Sequence, residues 1–203
     1  MKVARSLVIL VFVGVSTGFC QQNGILEKDQ LERPINRKAV PAEHLAAAVT
    51  AVQAIGDQTL RGQFNEVVEK MYPRYRNRAA KKLGGKAEMA AQMKKLVNDY
   101  AASGISITGF VAEPATIGFD IPEFYEWLVF VPTTRTVSFI DPNTGRKETR
   151  NVSDYQVAVR GKGEGETWSF LNGSTLKVKE LRSLFPSLPA DIGEWAIPQK
   201  SVK

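Results

Sequence analysis

Between Ala42 and Tyr100 the apolar residues recur every three or four positions. Leu45, Val49, Val52 and Ile55 set the pattern, with Ala46, Ala47, Ala48 and Ala51 between them, and Leu60, Phe64, Val67, Val68 and Met71 continue it. That spacing puts the apolar side chains on one face of a helix, and the alanines favour the helical state. Gly56-Asp57 is where the pattern predicts an interruption or a softening. Pro73 pushes Tyr72 out of helical geometry, so the helix should end there. A shorter helix is expected over Arg74 to Leu83, stopped by Gly84-Gly85. The clearest helix is Ala87 to Ala102, in which Met89, Met93, Leu96, Val97 and Tyr100 form one stripe and Lys94, Lys95, Asn98 and Asp99 face away. Gly104 stands where a left-handed residue would close it.

After Gly104 the period drops to two. Ile105, Ile107 and Val111 alternate with Ser106 and Thr108, which predicts a half-buried strand. Pro114 to Pro122 reads as a connection. Trp127 to Val131 is a continuous apolar run and reads as a more buried strand, with another over Arg135 to Ile140. Asp141-Pro142-Asn143-Thr144-Gly145 has turn composition. Lys147 to Arg160 carries the next strand or bulged pair, and Gly161 to Gly165 makes a hairpin tip. Glu166 to Gly173 returns as a strand running from edge to core, with Trp168 and Phe170 on one face and Thr167, Ser169 and Leu171 on the other. Leu176 to Pro189 then reads as a turn and a short helix closed by Phe185-Pro186. The expected fold class is α+β, with N-terminal helices packed on a curved antiparallel sheet and a short C-terminal helix.

Residues 1–20 are different. Lys2 and Arg5 form a basic head, Leu7 to Val15 an apolar run, and Ser16-Thr17-Gly18 a small-residue exit. This predicts a secretory signal peptide and an exported protein, in the periplasm or outside the cell. The run is shorter than the roughly 20 residues that span a bilayer. Cys20 could carry a lipid anchor, but Phe19 and Thr17 disfavour it. It is also the only cysteine, so the mature domain must rely on its core rather than a disulfide. Residues 21–42, polar and broken by Pro34 and Pro41, are expected to be a flexible linker, 43–189 the folded domain and 190–203 a tail. Loss of the leader removes two cations from a net charge of +6. That mild balance does not argue for a nucleic-acid partner.

Three features together resemble a group of small exported bacterial proteins of the NTF2-like (cystatin-like α+β) superfamily. They are a helix ending at Tyr72-Pro73, then Gly84-Gly85 with Glu88-Met89 opening the next helix, then Gly165-Glu166-Thr167-Trp168-Ser169-Phe170 leading to Leu181, Leu184 and Phe185-Pro186-Ser187-Leu188-Pro189. The resemblance covers Glu43 to Pro189. It implies a cone whose sheet wraps a helix and leaves a cavity. The superfamily hosts isomerases, cyclases, dehydratases, transport adaptors and domains of unknown role, so fold alone says little about function.

The candidate chemistry is sparse. With His44 the single histidine, and expected to be exposed, neither a zinc or copper site nor a Ser-His-acid triad has its ligands, and no metal or other cofactor is expected. Acid–base chemistry by a buried carboxylate with a tyrosine donor remains open. Its candidates are Asp57, Glu66, Asp120 and Asp154, with Tyr100, Tyr125 and Tyr155 as donors. Strand alternation sends Asp154 and Tyr155 to opposite faces. The expected binding residues are Tyr125, Trp127, Tyr155 and Trp168 for a cavity, and Arg74, Arg78, Lys81 and Lys82 for a basic helical face inside the run Lys70 to Lys95. Such a face could meet an anionic surface, or be balanced by Glu113, Asp120, Glu123 and Glu126. The leading expectation is an exported accessory domain that binds a small molecule or an envelope partner without catalysis. The alternatives are a cofactor-free isomerase or lyase and an envelope-surface binder acting through Lys70–Lys95. A homodimer through the open sheet face is a further expected partner.

Overall fold

The computed structural model describes residues 40–141, 143–195 and 201–202. The segments expected to be a signal peptide, most of the expected linker and part of the expected tail lie outside those residues. Four helices come first: α1 (Ala42–Leu60), α2 (Phe64–Glu69), α3 (Pro73–Leu83) and α4 (Lys86–Ala102). Five strands follow: β1 (Ser106–Ala112), β2 (Ile117–Ile121), β3 (Glu126–Ile140), β4 (Lys147–Gly161) and β5 (Ser169–Asn172). The chain closes with α5 (Val178–Leu184), α6 (Ile192–Trp195) and the short strand β6 (Ser201–Val202). The protein is therefore α+β. Its one antiparallel sheet runs β1-β3-β4-β5, with β2 paired to β3 past the end of β1 and β6 paired to β4, and it does not close into a barrel.

Gly56 does not interrupt α1. The Phe110 ring occupies the place of the missing side chain, with an atom 2.1 Å from where a Cβ would stand, so the glycine lets β1 press against the helix. The break comes six residues later, at Gly62, whose φ of 73° leaves the helical region. Pro73 is less a stop than a start: it is the first residue of α3, where its missing N–H costs nothing, and Tyr72 caps it in extended geometry.

The sheet departs from the sequence reading in four places. The expected connection 114–122 contains β2. The two strands expected at 127–131 and 135–140 are one strand of 15 residues running through Pro132. Pro132 is tolerated because β1 leaves β3 at Thr133 and β2 joins at Phe130, so the missing N–H falls in the gap between them. Its carbonyl still accepts a 2.8 Å bond from the Glu113 N–H. Finally, the β1–β3 register slips by one residue between Ile107 and Gly109. This bulge turns Ile107 and Phe110 to the same side and leaves Val111, expected inside, 51% exposed. At the C-terminal end, only Ser169–Asn172 of the expected strand 166–173 pairs in the sheet.

Both faces of the sheet are covered, where helices on one face alone were expected. On one face α1, α2 and α4 bury Val52, Ile55, Val67, Val68, Met89 and Met93 against Val129, Val131, Ala158 and Phe170. On the other, the chain from α5 to α6 seals Leu181, Leu184, Phe185, Leu188 and Ile192 over Leu128, Phe130, Tyr155, Val157 and Leu171. The packed unit reaches Val40 and Ile192, past both limits of 43–189. The Met89–Tyr100 stripe is buried only through Met93, and Val97 is 37% exposed. The edge of β1 is protected by α1: the Gln53 amide donates to Phe110 O at 3.1 Å, and its oxygen accepts from the Ala112 N–H at 2.9 Å.

Candidate functional site

A chamber of about 70 Å³ lies between the helical roof and the sheet. Ile55, Leu60 and Val67 wall it from the helices, Ile107, Phe110 and Phe170 from the strands, and Met71 from the α2–α3 corner. The β1 bulge is what brings both Ile107 and Phe110 to it. Its polar wall is Arg135 on β3, Gln156 on β4 and Asn172 on β5. Register explains their convergence: Gln156 stands opposite Asn172, and Arg135 opposite Val152, two residues from Asp154. The Gln156 amide donates to Asn172 Oδ1 at 3.4 Å. Arg135 Nη2 donates to Asp154 Oδ2 at 2.7 Å, with 10% and 6% of the two side chains exposed. Burial pulls the Arg135 pKa down, and the Asp154 charge opposes that pull. The Tyr155 N–H donates to Asp154 Oδ1 at 2.9 Å, which fixes the carboxylate further.

The second hollow is an open cleft of about 470 Å³ at the α2–α3 corner, bordered by the start of β3 and the β4–β5 connection. Tyr72 OH donates to Glu126 Oε2 at 3.0 Å. Burial raises the Glu126 pKa above its ordinary value, against the Tyr72 hydrogen bond and the charge of Arg74. Burial likewise pushes the Tyr72 hydroxyl well up. Lys162 reaches in from β4–β5, ion-paired to Asp120.

The residues singled out by sequence scatter. Tyr125 is 66% exposed and lines the cleft, as does the half-buried Trp168. Trp127 stacks on His44, with ring centroids 3.8 Å apart, which makes His44 half-buried rather than exposed. Tyr155 does face away from Asp154, and is buried in the core of the opposite face, so it lines neither hollow. Asp57 accepts from Gln53, Glu66 is exposed on α2, and Tyr100 is half-buried near the end of α4.

The basic face stays at the surface, with Arg78, Lys81 and Lys82 exposed and Arg74 half-buried, but its arginines are engaged. Arg74 lies over the Phe124 ring and donates to Leu184 O, and Arg78 donates to Ser183 Oγ, so both tie α3 to α5. Arg76 and Lys86 pair with Glu69, and Lys95 with Asp99. Of the counter-charges expected, Glu123 and Glu126 stand near Tyr72 and Arg74, whereas Glu69 was not named. Lys81 and Lys82 stay exposed.

Arg135 was not singled out from the sequence, and Glu126 and Tyr72 were named there only as a counter-charge and a helix end. Arg135 falls in the period-two row of Val131, Thr133 and Val137, all buried on β3, and so carried a signal; Tyr72 and Glu126, 54 residues apart, carried none. Asp141 is a turn residue as expected, accepting from the Asn143 N–H at 2.8 Å and the Thr144 hydroxyl at 3.0 Å. Among the described residues no cluster of three His, Cys, Asp or Glu side chains could hold a metal, and no helix is long and apolar enough to cross a membrane. No protein-family model matches the chain, and no curated protein matches it in sequence.

Proposed function

We propose that the chain is an exported domain of the NTF2-like type that holds a small ligand in the chamber between α1 and the sheet, without catalysis. The observation that carries this reading is the lining: apolar on most sides, with Arg135 the single charged residue. Small-molecule sites have this make-up, an apolar wall with a few convergent polar groups. Because Asp154 already balances the Arg135 charge, the chamber suits a neutral molecule with a hydrogen-bond acceptor at one end. A short aliphatic ketone or ester offers such an acceptor on a small apolar body. No carboxylate lies among the lining residues, which favours binding over acid–base chemistry at this place.

The test uses 2-butanone as probe, titrated into the ¹⁵N-labelled protein. Saturable shifts at the amides of Phe110, Gln156 and Phe170 are expected in the wild type, and their loss in Thr59→Phe, since Thr59 also lines the chamber and the larger side chain would fill it. Absence of saturable shifts, or shifts that persist in a folded Thr59→Phe protein, would sink the reading.

A further inference from the structure

We propose that the open cleft at the α2–α3 corner is a second, independent binding site, and that its ligand is a neutral saccharide. At about 470 Å³ it falls within the roughly 300–1,000 Å³ of small-molecule sites.

The first ground is Tyr125. It is the only non-glycine residue at positive φ among the described residues, with φ 54°. A bulky side chain is disfavoured in that left-handed conformation, and such outliers gather at ligand-binding places. The strain is held on both sides: the Tyr125 N–H donates to Pro122 O at 3.3 Å, and the Lys162 N–H donates to Tyr125 O at 3.0 Å. The Lys162 ammonium stands 5.3 Å from the ring centre. What the constraint achieves is an aromatic side chain, 66% exposed, held by its backbone at the cleft. No core packing explains it. Trp168, on the β4–β5 connection, supplies a second aromatic surface to the same cleft.

The second ground is the charge pattern. The lining includes Glu69, Glu126 and Glu166, and against them Lys70, Arg76 and Lys162. The signs balance, and Glu69–Arg76 is a pair at 3.0 Å. A charged ligand gains nothing from the sum, whereas a molecule with many hydroxyls finds donors and acceptors together. Glu126 is the best-placed acceptor. Tyr72 occupies one position on its Oε2 and orients it, and a carboxylate has about four acceptor sites. A sugar ring satisfies both grounds at once: its C–H face stacks on an aromatic ring, and its hydroxyls meet the carboxylates and ammonium groups.

The test is a titration of the full chain with cellobiose, maltose, lactose and N,N′-diacetylchitobiose, read by tryptophan fluorescence and by calorimetry. At least one should bind saturably, with affinity little changed between low and high salt. Tyr125→Gly should weaken binding at least tenfold while leaving the melting temperature equal or higher, because glycine accepts the left-handed φ. Trp168→Phe should remove most of the fluorescence response. The proposal is overturned if none of the four sugars binds, if Tyr125→Gly binds as well as the wild type, or if binding collapses with added salt. 2-Butanone shifts at the chamber should be unchanged in Tyr125→Gly, which keeps this result separable from the chamber reading.

Discussion

The two faces of β3 and β4 are built from alternate residues of the same strands, yet they are different kinds of interior. On the face sealed by α5 and α6, Leu128, Phe130, Tyr155, Val157 and Val159 pack without a charge among them. On the face roofed by α1 and α2, the same strands present Val129, Val131 and Ala158, then Arg135, Asp154 and Gln156, and a hollow remains. A filled apolar face contributes stability in proportion to the area it hides. A buried ion pair contributes little over a well-packed apolar pair of the same size, since both charges must first leave water. The charged face is thus the one that gives up stability, and it is also the one with room beside the charges.

The comparison breaks most sharply at Asp154. Asp154→Ala leaves the Arg135 guanidinium buried and unpaired, and should cost about 3–5 kcal/mol. Phe130→Ala on the filled face should cost a similar amount, about 3–5 kcal/mol, through the cavity it opens. The two differ in repair. Arg135→Met with Asp154→Leu should recover wild-type stability or better, whereas the Phe130→Ala loss is repaired only by restoring volume. Denaturant midpoints of the four proteins check this. A double variant as unstable as Asp154→Ala would mean that the pair holds the fold together by more than its own neutralisation.

A finer contrast uses two glycines. A Cβ on Gly173 would stand 2.2 Å from an atom of the Tyr155 ring, and a Cβ on Gly56 would stand 2.1 Å from one of the Phe110 ring. The distances match, but the surroundings do not. Tyr155 is locked in the filled face, so Gly173→Ala should cost about 1–3 kcal/mol. Phe110 borders the chamber and can yield into it. Replacing a helix glycine by alanine also gains up to about 1 kcal/mol, so Gly56→Ala should be the milder change, and it should shrink the chamber. Equal losses in thermal unfolding would show the roofed face to be as tightly packed as the other.

How much of this was legible in the sequence follows from the range of each signal. Alternation assigned Asp154 and Tyr155 to opposite faces, and put Trp168 and Phe170 on one face together, because that rule needs only neighbours. Glycine chemistry placed the ends of α3 and α4 for the same reason: Gly84 and Gly104 carry φ of 91° and 75°. The bulge between Ile107 and Gly109 has no local mark, so Val111 was sent inward when Phe110 belonged there. Pro132 read as a strand boundary because the gap between β1 and β2 that excuses it exists only once the sheet is assembled. Arg74 and Arg78 looked like a solvent face because their partners on α5 lie more than a hundred residues away. The Tyr72–Glu126 pair was hidden for the same reason, and none of the carboxylates named from the sequence for acid–base chemistry lines the cleft.

The smallest expected effect concerns that pair, and it has a definite sign. Burial raises the Glu126 pKa in the folded protein above its ordinary value of 4.5, with the charges of Glu123 and Glu166 adding to the rise and Tyr72 and Arg74 opposing it. The folded state therefore holds the Glu126 proton to higher pH than the unfolded chain does. Stability must fall as pH rises from about the ordinary value through the raised one, and level off above it. Glu126→Gln keeps an acceptor for the Tyr72 hydroxyl but removes the ionisation, so it should flatten this part of the stability profile and leave the variant equal to or more stable than wild type at neutral pH. Melting temperatures taken from pH 4 to 8 for the two proteins make the comparison. If the wild-type curve rose relative to the variant across that window, Glu126 would be held as a stabilised carboxylate, and the orienting hydrogen bond from Tyr72 would have to outweigh the cost of its burial.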